Sequence, residues 1–524
     1  MSIEIQKEWT QQHPLCTRQC SNCHCIGCSD CTQRFGCLSV IIVELTDYGT
    51  PFTFGIIFPM SQQLRFHGGT LVLEGSSPDA MLPAPFRWVK GKPRCPASHY
   101  ASLIPWLKKY EVRDTVPRWK HLNLELNDPR EPHDYQREAL AAWLAADGRG
   151  SVVLPTGAGK TFLAIHAIAR LARSTLIIVP TIDLLHQWYA ALCAAFPTME
   201  IGVFYGLEKE LRELTVSTYP SAWSHMGEFG DAFKLIIFDE VHHLPAPSWQ
   251  EIALMSVAPH RLGLTATYPK PIETAGPLFA SLQTPEGRGL EELIGPLVYA
   301  KNVDDLSGTQ LAEYRTIRIR VDLTPEERAV YDAAYSAYTG FVKATGLRET
   351  YGPGWWGEYT RRSAFDAGAR HAKVAERQLR RLVANAQNKL KVLDDLLKEH
   401  AHERVLIFTE YTDLVYTLSR RHLLPAITHH TKAAERKAIL DGFRTGQFKA
   451  LLTSRALNEG IDVPEAKVAI ILGGSASAQE YVQRLGRILR KRANKTALLY
   501  EVIVRHTVEE GISQRRHRKV RYTV

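Results

Sequence analysis

The chain has 524 residues, 45% of them hydrophobic, and its formal net charge at neutral pH is +9. At roughly 150 residues per domain, this length predicts three or four domains with enough apolar material for buried cores. The basic balance favours a polyanionic partner. Residues 1–12 are polar, and no apolar run approaches the roughly 18 residues that span a bilayer. We therefore expect an intracellular, cytoplasmic protein without membrane contact, associated with the nucleoid if its source is prokaryotic.

Cysteines are concentrated near the N-terminus. Seven of the nine are Cys16, Cys20, Cys23, Cys25, Cys28, Cys31 and Cys37. In a reducing compartment such clustering favours metal ligation over disulfides, and the two-residue spacings bring thiolates close enough to share one cation. Structural zinc is one interpretation, an iron–sulfur cluster with Cys37 as the fourth ligand is a second, and a free thiol segment is a third. We define residues 1–38 as a cysteine-rich, metal-binding segment.

A small domain is expected between this segment and the rest of the chain. Residues 38–45, 53–58 and 70–74 are apolar or alternating runs of the kind that form strands. Aromatic and basic residues mix around Trp88, as on nucleic-acid surfaces, although an ordinary solvated face would look the same. The pattern predicts an α+β domain over residues 39–126.

A phosphate-binding loop follows an apolar strand at residues 151–154. Its residues are Pro155, Thr156, Gly157, Ala158, Gly159, Lys160 and Thr161. The glycines let backbone N–H groups face an anion at a helix N-terminus, Lys160 adds a positive charge, and the Thr161 hydroxyl can ligate magnesium. Leu154 stands where the general motif has glycine, which fits a helicase-type variant.

Alternating strands and helices after the loop predict a parallel-sheet α/β fold. The apolar run 235–238 ends at Asp239 and Glu240, at the carboxyl end of a predicted strand, where such sheets bind ligands. Asp239 can hold magnesium through water, and Glu240 can orient or deprotonate the attacking water. Upstream of the loop, the Gln136 amide can bond both a donor and an acceptor on an adenine edge.

These motifs, in this order, resemble those of the superfamily 2 helicases. Further matching stretches are residues 179–181 with 187–188, 217–219, 264–267, 406–409, 453–464 and 483–490. Of these, 179–181 with 187–188 and 217–219 look like motifs that contact the nucleic-acid strand. The resemblance implies two RecA-like lobes that use ATP and magnesium, with Asp462 near the nucleotide ribose. It also implies that Arg487 and Arg490, which share one helix face at i and i+3, are arginine fingers from the second lobe.

Within that superfamily the chain is most similar to the XPB-type branch, especially its archaeal and bacterial forms. Residues 87–116 resemble the domain before the motor, which is assigned to DNA or damage recognition. A helical region with paired Trp355 and Trp356 resembles the thumb insertion, where these rings could stack on bases. The branch usually carries Arg-Glu-Asp where this chain reads Tyr-Pro-Lys-Pro at residues 268–271. Strand separation is therefore less firmly implied than translocation or ATP hydrolysis.

The expected architecture is a first RecA-like lobe over residues 127–321, a helical thumb-like insertion over 322–385 and a second lobe over 386–524. The predicted function is an ATP-dependent DNA translocase or helicase that acts on single-stranded, forked or bubble DNA, in DNA repair, with a nuclease as a possible partner protein. An RNA helicase, the motor subunit of a restriction or defence assembly, and a non-hydrolysing nucleic-acid-binding scaffold stay open as alternatives.

The cysteine segment gives the first testable prediction. We expect purified protein to contain zinc or iron near stoichiometry, because the cysteine spacings suit either ion. Elemental analysis measures the metal, and the visible absorption spectrum separates an iron–sulfur cluster from colourless zinc. Protein that contains neither metal would rule out both metal interpretations.

Overall fold

A computed structural model describes the chain in several stretches. These are residues 38–47, 50–59, 62–76, 82–116, 119–269, 289–454, 466–473 and 496–516. The chain divides into two compact units, residues 1–117 and 118–524. No helix within the described stretches is long and apolar enough to cross a membrane.

The first unit contains two small sheets and a helix. Strands β1 (Leu38–Asp47) and β2 (Thr50–Pro59) form an antiparallel pair. The second sheet has the order β5-β6-β4-β3-β7, and α1 (Tyr100–Lys109) follows β6. The bounds of its strands are β3 Gln63–His67, β4 Thr70–Glu74, β5 Arg87–Val89, β6 Lys92–Pro96 and β7 Arg113–Asp114. The predicted small α+β domain is confirmed.

The expected boundary of this domain at residue 126 differs from the observed one. The unit ends at residue 117, and the segment that follows packs on the next lobe. Leu122 is buried in the core of that lobe and its N–H donates to the carbonyl of Ala172, while Asn127 N–H donates to Ala195. The alternating residues Leu122, Leu124 and Leu126 pack on the core of the first lobe, so this segment belongs to that lobe.

The first lobe of the second unit is built on a sheet with the order β11-β10-β12-β9-β13-β14-β8-β15. All pairs are parallel except β10 with β11. Its strands are β8 Arg149–Val153, β9 Thr175–Val179, β10 Ile201–Tyr205, β11 Glu208–Lys209, β12 Leu214–Thr218, β13 Leu235–Asp239, β14 His260–Thr265 and β15 Leu297–Ala300. The central strands are buried along their whole length, as continuous Val, Ile and Leu runs require.

Helices connect these strands. They are α2 Asp134–Ala145, α3 Lys160–Leu171, α4 Ile182–Ala195, α5 Tyr219–Phe229, α6 Pro247–Leu254, α7 Leu290–Leu293 and α8 Val303–Leu306. Helix α4 begins directly after Thr181, whose hydroxyl accepts a hydrogen bond from the N–H of Leu184 at 3.2 Å. Such a cap satisfies one of the free donors of the first turn.

The second lobe has a parallel sheet with the order β16-β21-β20-β17-β19-β18. Its strands are β16 Glu313–Val321, β17 Val405–Phe408, β18 Ala426–Ile427, β19 Ala450–Thr453, β20 Val468–Ile471 and β21 Thr496–Val504. The predicted pair of parallel-sheet lobes is confirmed. However, the first lobe was expected to extend to residue 321, whereas β16, which ends there, pairs with β21 of the second lobe. The chain thus crosses between the lobes before Glu313.

Helices fill the region between β16 and β17, as predicted. They are α9 Pro325–Ala344, α10 Leu347–Tyr351, α11 Trp355–Arg362, α12 Ala367–Ala384 and α13 Gln387–Glu399. The rest of the lobe contains α14 Thr412–His422, α15 Ala433–Thr445 and α16 Val508–Arg516. A capping box marks the start of α9, where Thr324 and Glu327 each accept from the other's backbone N–H.

The paired tryptophans of this helical region are packed into the lobe. Arg348 lies 4.6 Å from the ring centre of Trp355, and Lys373 lies 3.8 Å from that of Trp356. Both rings also contact the buried Tyr359. Their ring faces are therefore occupied by cations and by another aromatic side chain, so the base-stacking role suggested by the sequence would require these contacts to open.

An ion pair joins the two lobes. Arg436, on α15, donates through Nη1 to Asp183 Oδ2, on the first turn of α4, at 2.7 Å. A second guanidinium nitrogen, Nη2, donates to the carbonyl of Thr431 at 3.2 Å. Arg436 of the second lobe thus contacts α4 of the first lobe, directly after residues 179–181.

A buried ion pair stabilises the second lobe. Lys389, on α13, has a fully buried side chain whose ammonium donates to Glu509 Oε1 at 2.6 Å and to the carbonyl of Leu472 at 2.9 Å. Glu509, on α16, also accepts from the backbone N–H of Val504 at 2.8 Å. This pair ties two helices to the ends of strands β20 and β21.

We predict that Glu509→Leu lowers the free energy of unfolding by about 3–5 kcal/mol, because it leaves the Lys389 ammonium buried without its carboxylate. The double variant Lys389→Met/Glu509→Leu should recover most of that loss, since no charge is then buried. Denaturant titration measures both. The control is Lys398→Ala, which removes an exposed pair with Asp395 and should cost less than about 1 kcal/mol. A loss in the single variant no larger than in this control would contradict the prediction.

Candidate nucleotide-binding site

The phosphate-binding loop joins β8 to α3. Gly157 and Gly159 have φ angles of 86° and 76°, a left-handed conformation that residues with a Cβ rarely adopt. Helix α3 begins at Lys160, so the positive end of its dipole lies at the loop. Lys160 Nζ donates to the carbonyl of Leu154 at 3.3 Å, which folds the ammonium back along the loop.

The rest of the loop is held from inside. Ala158 N–H donates to the carbonyl of Pro155 at 3.2 Å. Thr161 is half-buried in the first turn of α3. The Thr156 hydroxyl is buried and has no hydrogen-bond partner among the described residues. A loop of fixed shape with an unsatisfied hydroxyl fits an anionic ligand.

Gln136 contacts the loop from α2. Its Nε2 donates to the carbonyl of Ala158 at 3.2 Å, and its Oε1 accepts from the N–H of His133 at 3.0 Å. The neighbouring Tyr135 hydroxyl donates to the same Ala158 carbonyl at 2.8 Å. Gln136 is buried, so this amide braces the loop, and its predicted reading of an adenine edge stays a prediction.

A cavity lies beside the loop and Gln136. The residues lining it are Arg130, Glu131, His133, Tyr135, Gln136, Gly157, Ala158, Gly159, Phe162 and Gln310. The Arg130 guanidinium lies 4.8 Å from the ring centre of Phe162. Arg130 is fixed by hydrogen bonds to Asp128, which lower the pKa of that carboxyl to about 2. A planar cation and a ring beside a phosphate loop suit a nucleotide base.

Sequence reasoning did not select Arg130 or Phe162. Arg130 precedes α2 and Phe162 lies in α3, so their approach depends on how the two helices pack against each other. The available signal was the position of Arg130 six residues before Gln136. An arginine alone at that distance indicates nothing specific.

Asp239 and Glu240 lie side by side at the carboxyl end of β13. Both side chains are buried. Asp239 Oδ2 accepts from the indole N–H of Trp188 at 2.8 Å, and Oδ1 accepts from the backbone N–H of Glu240 at 3.0 Å. Burial, and then the adjacent Glu240 charge, raise the pKa of Asp239 above its ordinary value, while the positive charge of Lys160 opposes the rise.

Glu240 is linked to the next strand through a histidine. Its backbone is left-handed, with φ 48°, and its Oε2 has no hydrogen bond within the described residues. Oε2 lies 3.5 Å from His242 Nδ1, which is 3.0 Å from the Thr265 hydroxyl at the end of β14. That hydroxyl also accepts from the N–H of Thr267 at 3.1 Å. The contacts join the second carboxylate to residues 264–267.

Two residues from the stretches that resemble nucleic-acid-contacting motifs contact the carboxylate site instead. Trp188 and Tyr219 are buried. Both donate to Asp239, Trp188 to the carboxylate and Tyr219 to the backbone carbonyl at 3.2 Å. Their side chains face the carboxylate site and are not available to a nucleic-acid strand.

The donor set fits magnesium and a nucleotide triphosphate. The site combines a left-handed glycine loop, an ammonium, a threonine hydroxyl and a buried carboxylate whose charge is unfavourable without a cation. Thr161 and Asp239 are the residues that would hold the metal. An unbonded buried oxygen on Glu240 is where water or a polar ligand would be accommodated.

Some predicted site residues lie outside the described ranges. They are Asp462, Arg487 and Arg490, together with Cys16, Cys20, Cys23, Cys25, Cys28, Cys31 and Cys37. Within the described ranges no group of three or more His, Cys, Asp or Glu side chains forms a metal site. The roles of the arginines and the zinc or iron–sulfur site remain predictions.

Two parallel-sheet lobes, with a phosphate loop and a carboxylate pair on the first, define a helicase-type motor. Each lobe matches one protein family. Residues 130–270 match the type III restriction enzyme res subunit, and residues 388–492 match the helicase conserved C-terminal domain. More particularly, the chain belongs to the XPB-type branch of superfamily 2 helicases, as its similarity to curated relatives shows.

Three relatives illustrate this membership. The chain is 37% identical over 391 residues to the DNA 3'-5' translocase XPB2 of Sulfurisphaera tokodaii, covering 75% of this chain and 85% of that protein. It is 32% identical over 398 residues to the DNA 3'-5' helicase XPB of Mycobacterium tuberculosis, covering 74% and 63%. It is 27% identical over 458 residues to the general transcription and DNA repair factor IIH helicase/translocase subunit XPB/SSL2 of yeast (Saccharomyces cerevisiae), covering 81% and 47%. The chain thus spans less than two thirds of the latter two proteins.

Loop shape gives a prediction that concerns binding alone. A Cβ on Gly159 would lie 2.5 Å from Gln136 Nε2, and the left-handed backbone adds strain. Backbone strain of this kind costs about 1–3 kcal/mol, and the loop of Gly159→Ala should shift to relieve it. Nucleotide binding should then weaken at least about fivefold, since about 1.4 kcal/mol corresponds to tenfold in affinity.

Titration with a fluorescent ADP analogue measures this effect. The control is Gly340→Ala in α9, where an added Cβ has no atom within 4 Å and the substitution favours the helix. The control should bind as the wild type does. Wild-type affinity in Gly159→Ala would contradict the proposed fit of the loop.

Proposed function

We propose that the chain is an ATP-dependent DNA translocase of the XPB-type branch, which couples hydrolysis of magnesium-bound ATP to movement on DNA or remodelling of it. The observation that carries the proposal is the arrangement of three adjacent strands of the first lobe. Strand β8 leads into the phosphate loop, β13 ends at the carboxylates, and β14 between them ends at Thr265. The phosphate loop and the carboxylates therefore meet at one edge of the sheet, and this proximity supports the proposal of phosphoryl transfer there.

Each residue has a proposed role in the reaction. Lys160 and the loop N–H groups bind the phosphates, while Thr161 and Asp239 hold magnesium. Glu240 orients the attacking water or accepts its proton. Bound magnesium neutralises negative charge on the transferred phosphoryl group. Arg487 and Arg490, which lie outside the described residues, are proposed to add positive charge from the second lobe.

DNA is the proposed substrate because the relatives are named DNA translocases and helicases, and the same names propose a 3'-5' direction of movement. The net charge of +9 is compatible with a polyanionic track. Involvement in repair is proposed from the name of the yeast relative. Translocation is preferred over strand separation because residues 268–271 depart from the Arg-Glu-Asp pattern of the branch. A nuclease partner stays a prediction from sequence.

Catalytic variants test the proposal. Glu240→Gln keeps the side-chain size but removes the base, so DNA-stimulated ATP hydrolysis should fall about 10²–10⁴-fold while nucleotide still binds. Lys160→Ala and Arg490→Ala should abolish stimulated hydrolysis as well. Steady-state ATPase assays measure turnover, and the exposed Lys398→Ala is the control. Undiminished turnover in the three variants would refute the assignment.

The substrate is tested with the same assay. Stimulation of the wild type is compared on single-stranded, duplex, forked and bubble DNA and on matched RNA. We expect DNA to stimulate hydrolysis more than RNA. Stronger stimulation by RNA would replace DNA by RNA as the substrate, and no hydrolysis on either would favour a binding scaffold.

A further inference from the structure

The Asp239 carboxylate is held by two hydrogen bonds, and one comes from a side chain that the proposed chemistry does not use. Trp188 is 1% exposed, and its indole N–H donates to Oδ2 at 2.8 Å. On the other oxygen, Oδ1 accepts from the backbone N–H of Glu240 at 3.0 Å. Each carboxylate oxygen therefore has one donor from the protein.

Two donors on opposite oxygens fix the plane of the carboxyl group. A carboxylate has about four lone-pair positions, so one on each oxygen remains for a magnesium-bound water. Hydrogen bonds to an ionised group are short and strong, and more so in a buried site. Of the two donors, only the indole N–H belongs to a side chain, so it is the donor that a substitution can remove.

Trp188 reaches the carboxylate from α4, whose first turn carries Asp183. That residue forms the ion pair with Arg436 of the second lobe. One helix therefore contacts the second lobe through its second residue and the carboxylate through its seventh. A displacement of α4 that follows the second lobe would also move the indole.

We propose that Trp188 is a positioning residue, whose indole N–H orients Asp239 for magnesium and links that orientation to α4. The inference rests on the proposed function, in which Asp239 holds the metal. A merely structural role would require only that the ring fill its space in the core of the first lobe.

Trp143 provides a matched comparison. It is also 1% exposed in the first lobe, and its indole N–H donates to a backbone carbonyl, that of Arg261, at 2.9 Å. Arg261 pairs with Ile236 near the beginning of β13, whereas Asp239 is at the opposite end of that strand. Loss of this indole N–H removes a buried hydrogen bond without affecting the carboxylate.

The experiment measures binding of a fluorescent ADP analogue to the full chain, with and without Mg²⁺. Trp188→Phe keeps a smaller aromatic ring at this position and removes the N–H. The gain in affinity that Mg²⁺ provides should fall about 10–100-fold, the usual loss when a partner of a metal ligand is removed, and affinity without Mg²⁺ should be unchanged. Trp143→Phe should keep the full gain. In an Asp239→Asn background, Trp188→Phe should cause no further loss.

A full Mg²⁺-dependent gain in Trp188→Phe, or an equal loss in Trp143→Phe, would overturn the proposal. Trp188→His is the second variant, used also if Trp188→Phe does not fold. The imidazole ring retains an N–H donor, so this variant should keep part of the Mg²⁺-dependent gain in affinity even if it is less stable than the wild type. A gain as low as that of Asp239→Asn would overturn the proposal. Failure of the proposed function is seen separately, as wild-type protein that binds the nucleotide with Mg²⁺ but shows no DNA-stimulated hydrolysis.

Discussion

Two buried carboxylates, side by side at the end of β13, are the constraint around which the first lobe is arranged. Burial of like charges costs free energy unless positive charge or hydrogen-bond donors compensate. Lys160 provides the nearby positive charge, and donors from Trp188 and the backbone satisfy Asp239. Burial and the Glu240 charge still raise the pKa of Asp239 above its ordinary value, so the compensation by these groups is partial. A divalent cation with a polyphosphate is the ligand that would complete it.

The topology explains why these groups meet. Parallel strands β8, β14 and β13 are neighbours, so their carboxyl ends form one edge of the sheet. The loop after β8, Thr265 after β14 and the carboxylates after β13 are distant in sequence and adjacent in space. His242 connects two of them through contacts of 3.0 Å to Thr265 and 3.5 Å to Glu240. A displacement of Thr265 at the end of β14 would therefore also shift His242 and Glu240 after β13.

The sequence predicted those parts of the fold that depend on local pattern. Continuous apolar runs identified the buried strands, and the glycines of residues 155–161 identified the loop, because both follow from short-range backbone and burial requirements. The lobe boundary predicted at residue 321 assigned β16 to the wrong lobe, because a strand's partner depends on long-range pairing and β21 lies far along the chain. The sequence prediction also placed residues 119–126 outside the first lobe.

The site residues also divide into those that local sequence identifies and those that depend on long-range contacts. Lys160, Asp239 and Glu240 could be selected from motifs that carry their own chemistry. Arg130, Phe162 and the indole of Trp188 could not, because an arginine or an aromatic ring acquires a role only from what it contacts after folding. Trp188 was grouped with strand-contacting residues for its neighbours in sequence, and its burial against Asp239 comes from the packing of α4 on the sheet of the first lobe.

The contact between Asp183 and Arg436 has a consequence for motion. Both side chains are partly exposed, and ion pairs of this kind contribute about 1 kcal/mol or less. This energy is close to thermal energy, so the contact can break and re-form without chemical input. Its strength also declines as ionic strength rises. The two lobes thus share a contact that is weak enough to break and re-form as they move, and that weakens further as the salt concentration rises.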